Sequence, residues 1–224
     1  MIKDFNNMNG WAPQARVLRP RDIAAFRRYW SALRKDGDVP RRSDIDPRGI
    51  EPLLAEAFVA ERIAPGLARL RIAGNHLTDL MGMEVRGMPL SSFLLPAHRD
   101  RLADLLVDLF DAPATLELEL AAESRPGIAP LTGRMVLMPL RSDLGDISRA
   151  LGCLVTDGPM GRTPCRFAIT RSTVSVIDMP SHGLSAAGFT ASTRPDAPQT
   201  QAPERNAETP SRSERSYLRL VKSD

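Results

Sequence analysis

Apolar residues recur at three- and four-residue steps in three stretches of the chain, and each stretch predicts a helix. The first helix is predicted over residues 21–35, and its apolar stripe consists of Ile23, Phe26, Trp30 and Leu33. A short helix is predicted after Asn75 and a longer one after Pro96. The chain therefore has at least three apolar helix faces to bury.

Five stretches have the composition and spacing of strands in an antiparallel sheet: residues 57–63, 68–73, 114–121, 131–140 and 150–156. The third alternates leucine with glutamate, so one of its faces is polar. The fourth and the fifth are apolar on both faces. Pro139 has no amide hydrogen, which predicts an edge or a bulge at that end of the fourth strand.

A sheet that is apolar on both faces needs two covers, because so much exposed apolar surface would drive association. The two central helices supply one cover. The stripe of the first helix is the candidate for the other, either within one chain or across a dimer. The pattern alone leaves both arrangements open.

Composition divides the chain into one folded domain and its flanks. Residues 190–216 contain no Val, Ile, Leu, Met, Phe or Trp, and such a segment cannot bury enough apolar surface to offset its ordering entropy. We predict a flexible N-terminus over residues 1–18, a folded domain over residues 19–160, an extra strand or a linker over residues 161–180, and a disordered tail over residues 181–224.

Charge argues against a dedicated nucleic-acid binder. The formal net charge of +3 lies entirely after Met160, since the preceding residues carry equal numbers of basic and acidic side chains. A weak contact with nucleic acid or an anionic membrane remains the minor alternative, through Arg27, Arg28, Arg41 and Arg42. The two cysteines form no disulfide framework, and no stretch resembles a signal peptide or a transmembrane segment, which predicts a cytoplasmic protein.

Several short sequence segments carry a family resemblance: Tyr29-Trp30, PRRSDIDP over residues 40–47, RIAG over residues 71–74, Gly82 and Arg86-Gly87. With the order of the predicted elements, they make the chain similar to small bacterial proteins in which one PAS domain is most of the protein. The resemblance implies an α+β fold, in which a five-stranded antiparallel sheet carries helices on one face and the N-terminal helix on the other. It also implies a sensor or an adaptor in signal transduction.

The sequence indicates no catalytic or metal site. The three histidines, His76, His98 and His182, have no second His or Cys at metal-ligand spacing. In some PAS sensors a histidine on the long helix holds haem iron, but His98 falls in the first turn, so haem is not expected. Cys165 comes after the fifth predicted strand, whereas the flavin-adduct cysteine of light-sensing relatives precedes the third. We expect no cofactor and no enzymatic activity.

A PAS-like arrangement would bring a methionine-rich apolar set together between the helices and the sheet. This candidate ligand pocket consists of Leu77, Leu80, Met81, Met88, Phe93, Leu94, Met135, Leu137 and Cys153. Plain core packing is the competing interpretation of the same residues, since no polar group is identified among them.

Two functions compete on these observations. The first is a sensory domain that binds a small apolar ligand and signals through an unidentified protein partner. The second is a ligand-free dimerisation or adaptor module, which the stripe containing Trp30 favours and which implies a homodimer.

Overall fold

The computed structural model describes residues 20–122 and 131–179. The predicted flexible N-terminus (residues 1–18) and disordered tail (residues 181–224) lie outside these residues, and both remain predictions.

Helices and strands occur close to their predicted positions. The helices are α1 (Pro20–Ala32), α2 (Asn75–Met81) and α3 (Arg99–Asp111). The strands are β1 (Ala57–Ala64), β2 (Leu67–Ala73), β3 (Ala114–Ala122), β4 (Thr132–Arg141), β5 (Ile147–Asp157) and β6 (Phe167–Val176). Short 3-10 helices lie at Arg42–Asp44, Pro47–Leu53, Leu90–Phe93 and Pro96–His98.

All the strands join one antiparallel sheet in the order β2-β1-β5-β4-β3-β6. The sixth strand was predicted only as an extra strand or a linker over residues 161–180. It pairs along β3, where Leu118 lies opposite Ser172. The sheet of the described residues therefore has six strands rather than five, and β6 extends it beyond β3.

Pro139 lies in β4, which is an internal strand of the sheet. It pairs with Ala150 of β5, whereas the pairing of β4 with β3 ends at Leu137. A register shift follows directly, between Leu140 and Arg141. A proline is tolerated here because β3 no longer pairs with this end of β4 and the ladder to β5 is irregular, in agreement with the bulge that the missing amide hydrogen predicted.

The sheet separates two hydrophobic clusters, and the side chains of β4 alternate between them. Met135 and Leu137 enter the inner cluster, which α2, α3 and the 3-10 helix Leu90–Phe93 cover. Val136 and Met138 enter the outer cluster, which α1 and the 3-10 helix Pro47–Leu53 cover. The two covers required by the sequence pattern are thus both present within the described residues.

Helix α1 covers the outer face of its own sheet, so the arrangement within one chain is the one observed. Ile23, Phe26 and Trp30 are almost fully buried there, and the indole Nε1–H of Trp30 donates to the carbonyl of Pro139 at 3.0 Å. The indole therefore satisfies a backbone oxygen at the end of β4 where pairing with β3 has stopped.

The first helix ends earlier than predicted, at Ala32 rather than residue 35. The chain reverses at Asp36 and Gly37, whose φ angles are 51° and 81°, and this turn ends the helix geometry ahead of the glycine. Leu33 is therefore only half-buried and lies beyond the helix, whereas Ile23, Phe26 and Trp30 of the same predicted stripe lie in the outer cluster.

We expect Trp30→Ala to lower the free energy of unfolding by about 3–5 kcal/mol, because it leaves a cavity and removes the donor to Pro139. Urea denaturation measures the change. Leu144→Ala is the matched control, since Leu144 is 95% exposed and its truncation should cost less than about 0.5 kcal/mol. Equal effects of the two variants would show that α1 does not stabilise the sheet.

Candidate functional site

The structure brings eight of the nine predicted pocket residues together. Seven are buried members of the inner cluster, and Met88 packs against it. The exception is Cys153, which lies in the outer cluster, on the opposite face of the sheet. Cys153 is paired with Val136, and paired residues share a face, so its place in the predicted pocket was wrong.

The two cysteines lie on opposite faces of the sheet. The pKa of the Cys153 thiol is raised to about 12, chiefly by burial; a hydrogen bond with the backbone of Val136 acts against this, and the charges of Glu56 and Glu117 make smaller raising contributions. Cys165 is a buried member of the inner cluster, and its amide donates to the carbonyl of Leu80 at 2.8 Å. Sequence analysis examined Cys165 only as a flavin-adduct candidate and missed this packing role.

A groove of about 710 Å³ lies on the outer face of β1 and β2, beside the end of the α1 cover. We call it the outer groove. Its floor includes Val59 and Ile72 of the two strands, and one wall is formed by Ile45, Ile50 and Leu54 from the chain between α1 and β1. The side chains of Leu54 and Ile72 are 47% and 49% exposed, so the groove presents apolar surface to solvent.

The groove wall is held by Tyr29 of α1. The Tyr29 hydroxyl accepts a hydrogen bond from the amide of Asp46 at 2.7 Å and donates one to the carbonyl of the same residue at 3.0 Å. The Asp46 carboxylate in turn caps the next 3-10 helix by accepting from the amide of Arg48 at 3.0 Å. A methyl group at Gly49 would overlap the Tyr29 ring, so the wall approaches α1 as closely as glycine allows.

The second carboxylate of this segment is also engaged locally. An oxygen of Asp44 accepts from the amide of Arg41 at 3.0 Å. Asp44 and Asp46 therefore both bind backbone amides of their own segment.

One end of the outer groove is basic. A pocket of about 410 Å³ shares Arg42, Val59 and Ile72 with the groove and continues it. We call this pocket the basic end, and its arginines are Arg42, Arg71, Arg86 and Arg149.

Acidic neighbours neutralise the basic end only in part. Arg71 and Arg149 both form ion pairs with the single carboxylate of Glu61. The side chains of Arg42 and Arg86 form no ion pair with any residue in the described ranges. Asp143 is the one carboxylate that lines this pocket, so the local charge remains positive.

The arginines considered for phosphate contact are separated by this geometry. Arg27 forms an ion pair with Glu117 at 2.7 Å on the outer face of β3. Arg42 lies instead at the junction of the outer groove and the basic end. Arg27 and Arg42 of the predicted set therefore have different surroundings.

Sequence reasoning missed the outer groove. Its walls come from three separate parts of the chain, and Ile45 is a single apolar residue between two aspartates. The available signal was Ile45 within the DIDP segment (residues 44–47), which was used only as part of the family resemblance.

Residues 20–122 and 131–179 contain neither a cluster of metal-ligating side chains nor a membrane-spanning helix. No group of three or more His, Cys, Asp or Glu side chains lies close enough there to share a metal ion. Among the helices of these residues, none has the length and apolar character to cross a membrane. His76 instead contacts a hydroxyl, with Nε2 3.0 Å from Thr156 Oγ1.

Comparisons with known proteins find a matching family model and solved structures that are similar to the chain. A family model described as PAS domain matches residues 18–155. The chain is similar to the light-state structure of the blue-light photoreceptor Aureochrome1 LOV, with 12% identity and a TM-score of 0.31, over 45% of this chain and 79% of that one. It is also similar to an RNA-binding light-oxygen-voltage receptor, with 20% identity and a TM-score of 0.33, over 52% of this chain and 35% of that one. No curated protein matches the chain.

We expect Cys153 to stay unreactive towards Ellman's reagent at pH 8 in the native protein, because its raised pKa keeps the buried thiol protonated. In a Cys165→Ser background, one thiol should react only after addition of urea. The same shift gives a stability contribution that is complete below pH 9 and is lost as the pH rises towards 12. Rapid native labelling would contradict the buried position.

Tyr29→Phe should lower the free energy of unfolding by about 1–2 kcal/mol, because it removes both hydrogen bonds to Asp46 and keeps the ring. Chemical denaturation of the full chain measures the loss. Ser31→Ala, at an exposed position near the end of the same helix, is the control and should change stability little. A Tyr29→Phe variant as stable as the parent would mean that the wall is held by other contacts.

Proposed function

Because the chain belongs to the PAS-domain family, we propose that it is a non-catalytic signalling module, which binds a small apolar ligand in its inner cluster and signals through a protein partner. The observation that carries the proposal is that one sheet forms the boundary of both hydrophobic clusters. A change of packing on the inner face therefore also changes the packing of the sheet against α1 on the outer face.

The path between the two faces is short. Met135 and Leu137 belong to the inner cluster, while their chain neighbours Val136 and Met138 belong to the outer one. One residue beyond Met138, the carbonyl of Pro139 accepts the Trp30 hydrogen bond that positions α1. A displacement of β4 by a ligand would reach α1 through a single strand.

The lining of the inner cluster suits an adaptable apolar ligand. Met81 and Met135 are buried in it, and Met88 and Met160 pack against it. Unbranched thioether side chains change shape at low cost, so they can rearrange around a guest molecule. The chemistry favours a small uncharged compound over a phosphate or a sugar, because the named lining offers no charged group.

A ligand-free adaptor is the second candidate, and the outer groove is the observation that favours it. Trp30, a predicted interface residue, is only 3% exposed because it is buried between α1 and the sheet. It is therefore not available for a dimer contact. An adaptor would instead use the exposed apolar surface around Leu54 and Ile72. Ligand binding in the inner cluster separates the two candidates.

We expect indole, used as a small apolar probe, to shift the methyl NMR signals of Met81 and Met135 in protein labelled with ¹³C at the methionine methyls. Met138, on the outer face, should shift at the same probe concentrations if β4 transmits the change. Methyl spectra recorded during a titration measure both effects.

Met83 provides the control within the same molecule, since it is 52% exposed and lies outside both clusters. Its signal should stay unchanged. A titration that moves neither Met81 nor Met135 would count against the sensory function and leave the adaptor. Shifts at Met135 without any shift at Met138 would count against transmission through the sheet.

A further inference from the structure

We propose that the outer groove and its basic end form a docking site for an acidic amphipathic helix of a partner protein. This inference names the partner chemistry for the output of the proposed signalling function and rests on that function. The apolar face of the helix would lie over Val59 and Ile72, and its acidic side chains would meet the arginines of the basic end.

The shape of the site favours a peptide segment over a small molecule. A buried ligand pocket encloses most of the surface of its ligand, whereas this groove is bordered by side chains that stay about half exposed, Leu54 and Ile72. The open outer groove would cover one face of its occupant and leave the other face in water. An amphipathic helix has those two faces, with apolar residues at steps of three and four.

Charge decides which amphipathic helix fits. Glu61 already accepts two guanidinium groups, from Arg71 and Arg149, so it cannot also neutralise Arg42 and Arg86. Arg42 lines both the outer groove and the basic end, which places positive charge directly beside the apolar floor. Carboxylates on the helix flank would find charged donors there, while a basic helix would be repelled.

The same argument disfavours the chain's own terminal segments. The apolar patch near the C-terminus, YLRLVK over residues 217–222, carries two basic residues and no acidic one. Residues 1–18 contain Lys3 and Arg16 against Asp4 alone. Both segments carry a net positive charge, which the basic end repels. The occupant is therefore assigned to another protein.

Two synthetic 18-residue helices provide a direct test. They share one leucine stripe and differ only in the polar face, which carries glutamate in one peptide and lysine in the other. Fluorescence anisotropy with the full chain should show at least tenfold tighter binding of the glutamate peptide, and this preference should shrink as salt rises. Equal affinities, or a preference for the lysine peptide, would overturn the proposal.

Variants of the full chain locate the binding. Ile72→Glu should weaken the glutamate peptide at least tenfold, and Arg42→Glu with Arg86→Glu should reverse the preference towards the lysine peptide. Leu144→Glu is the control for an exposed apolar position, and Arg28→Glu is the control for an exposed arginine away from the groove. Binding that survives Ile72→Glu, or a loss of the same size in either control, would place the peptide elsewhere.

A photo-crosslinking amino acid at position 72 identifies the natural occupant in cells. Crosslinked fragments from an acidic amphipathic helix of another protein are the expected result. Fragments from a second copy of this chain, fragments without acidic residues, or no crosslink at all would overturn the assignment.

The methyl titration with indole keeps this inference separate from the proposed sensory function. If Met135 still responds to indole in the Ile72→Glu variant, the fold and the inner site are intact, and lost peptide binding reports the groove alone. If indole has no effect while the glutamate peptide binds, the sensory function fails and the docking site stands.

Discussion

The structure depends on a sheet that has no polar face at its centre. In β4 every residue from Met135 to Leu140 is buried, and β5 is buried without interruption from Ala150 to Thr156. Leaving either face in water would forfeit the largest favourable contribution to folding, at roughly 25 cal/mol for each square ångström of apolar surface. One cover is built from the helices that connect β2 to β3, and the other has to come from the chain before β1.

The two aromatic residues of the first helix show how that outer cover is anchored. Tyr29 and Trp30 are consecutive, so they project about 100° apart on an α-helix and cannot both face the sheet. Trp30 points into the outer cluster and binds the end of β4, while Tyr29 points sideways and binds the backbone of Asp46. The pair thus joins the helix, the sheet and the DIDP segment, which gives these sequence segments a common structural role.

Much of this arrangement could be predicted because it depends on local periodicity. That Met135 and Leu137 share a face follows from the alternation within one strand, and the stripe from Ile23 to Trp30 follows from helical spacing. The face of Cys153 could not be predicted in the same way. Alternation shows which residues of a strand share a face, but only the pairing with Val136 decides whether that face is the inner or the outer one. The outer groove was missed for a related reason, since Ile45 and Ile72 meet only after distant segments have folded together.

The basic end also shows why net charge is a poor guide to the partner of a single surface. A chain body with balanced charge argues against a nucleic-acid binder, because a phosphate backbone needs cations repeated along a path. The structure is consistent with this, since Glu117 neutralises Arg27 on one part of the outer face while Arg42 and Arg86 gather at the end of an apolar trough. A few arginines beside exposed apolar side chains are complementary to a partner surface on which apolar and acidic side chains lie close together. For that reason Arg42, the one arginine of the set weighed for phosphate that lines the basic end, is better matched to a protein helix.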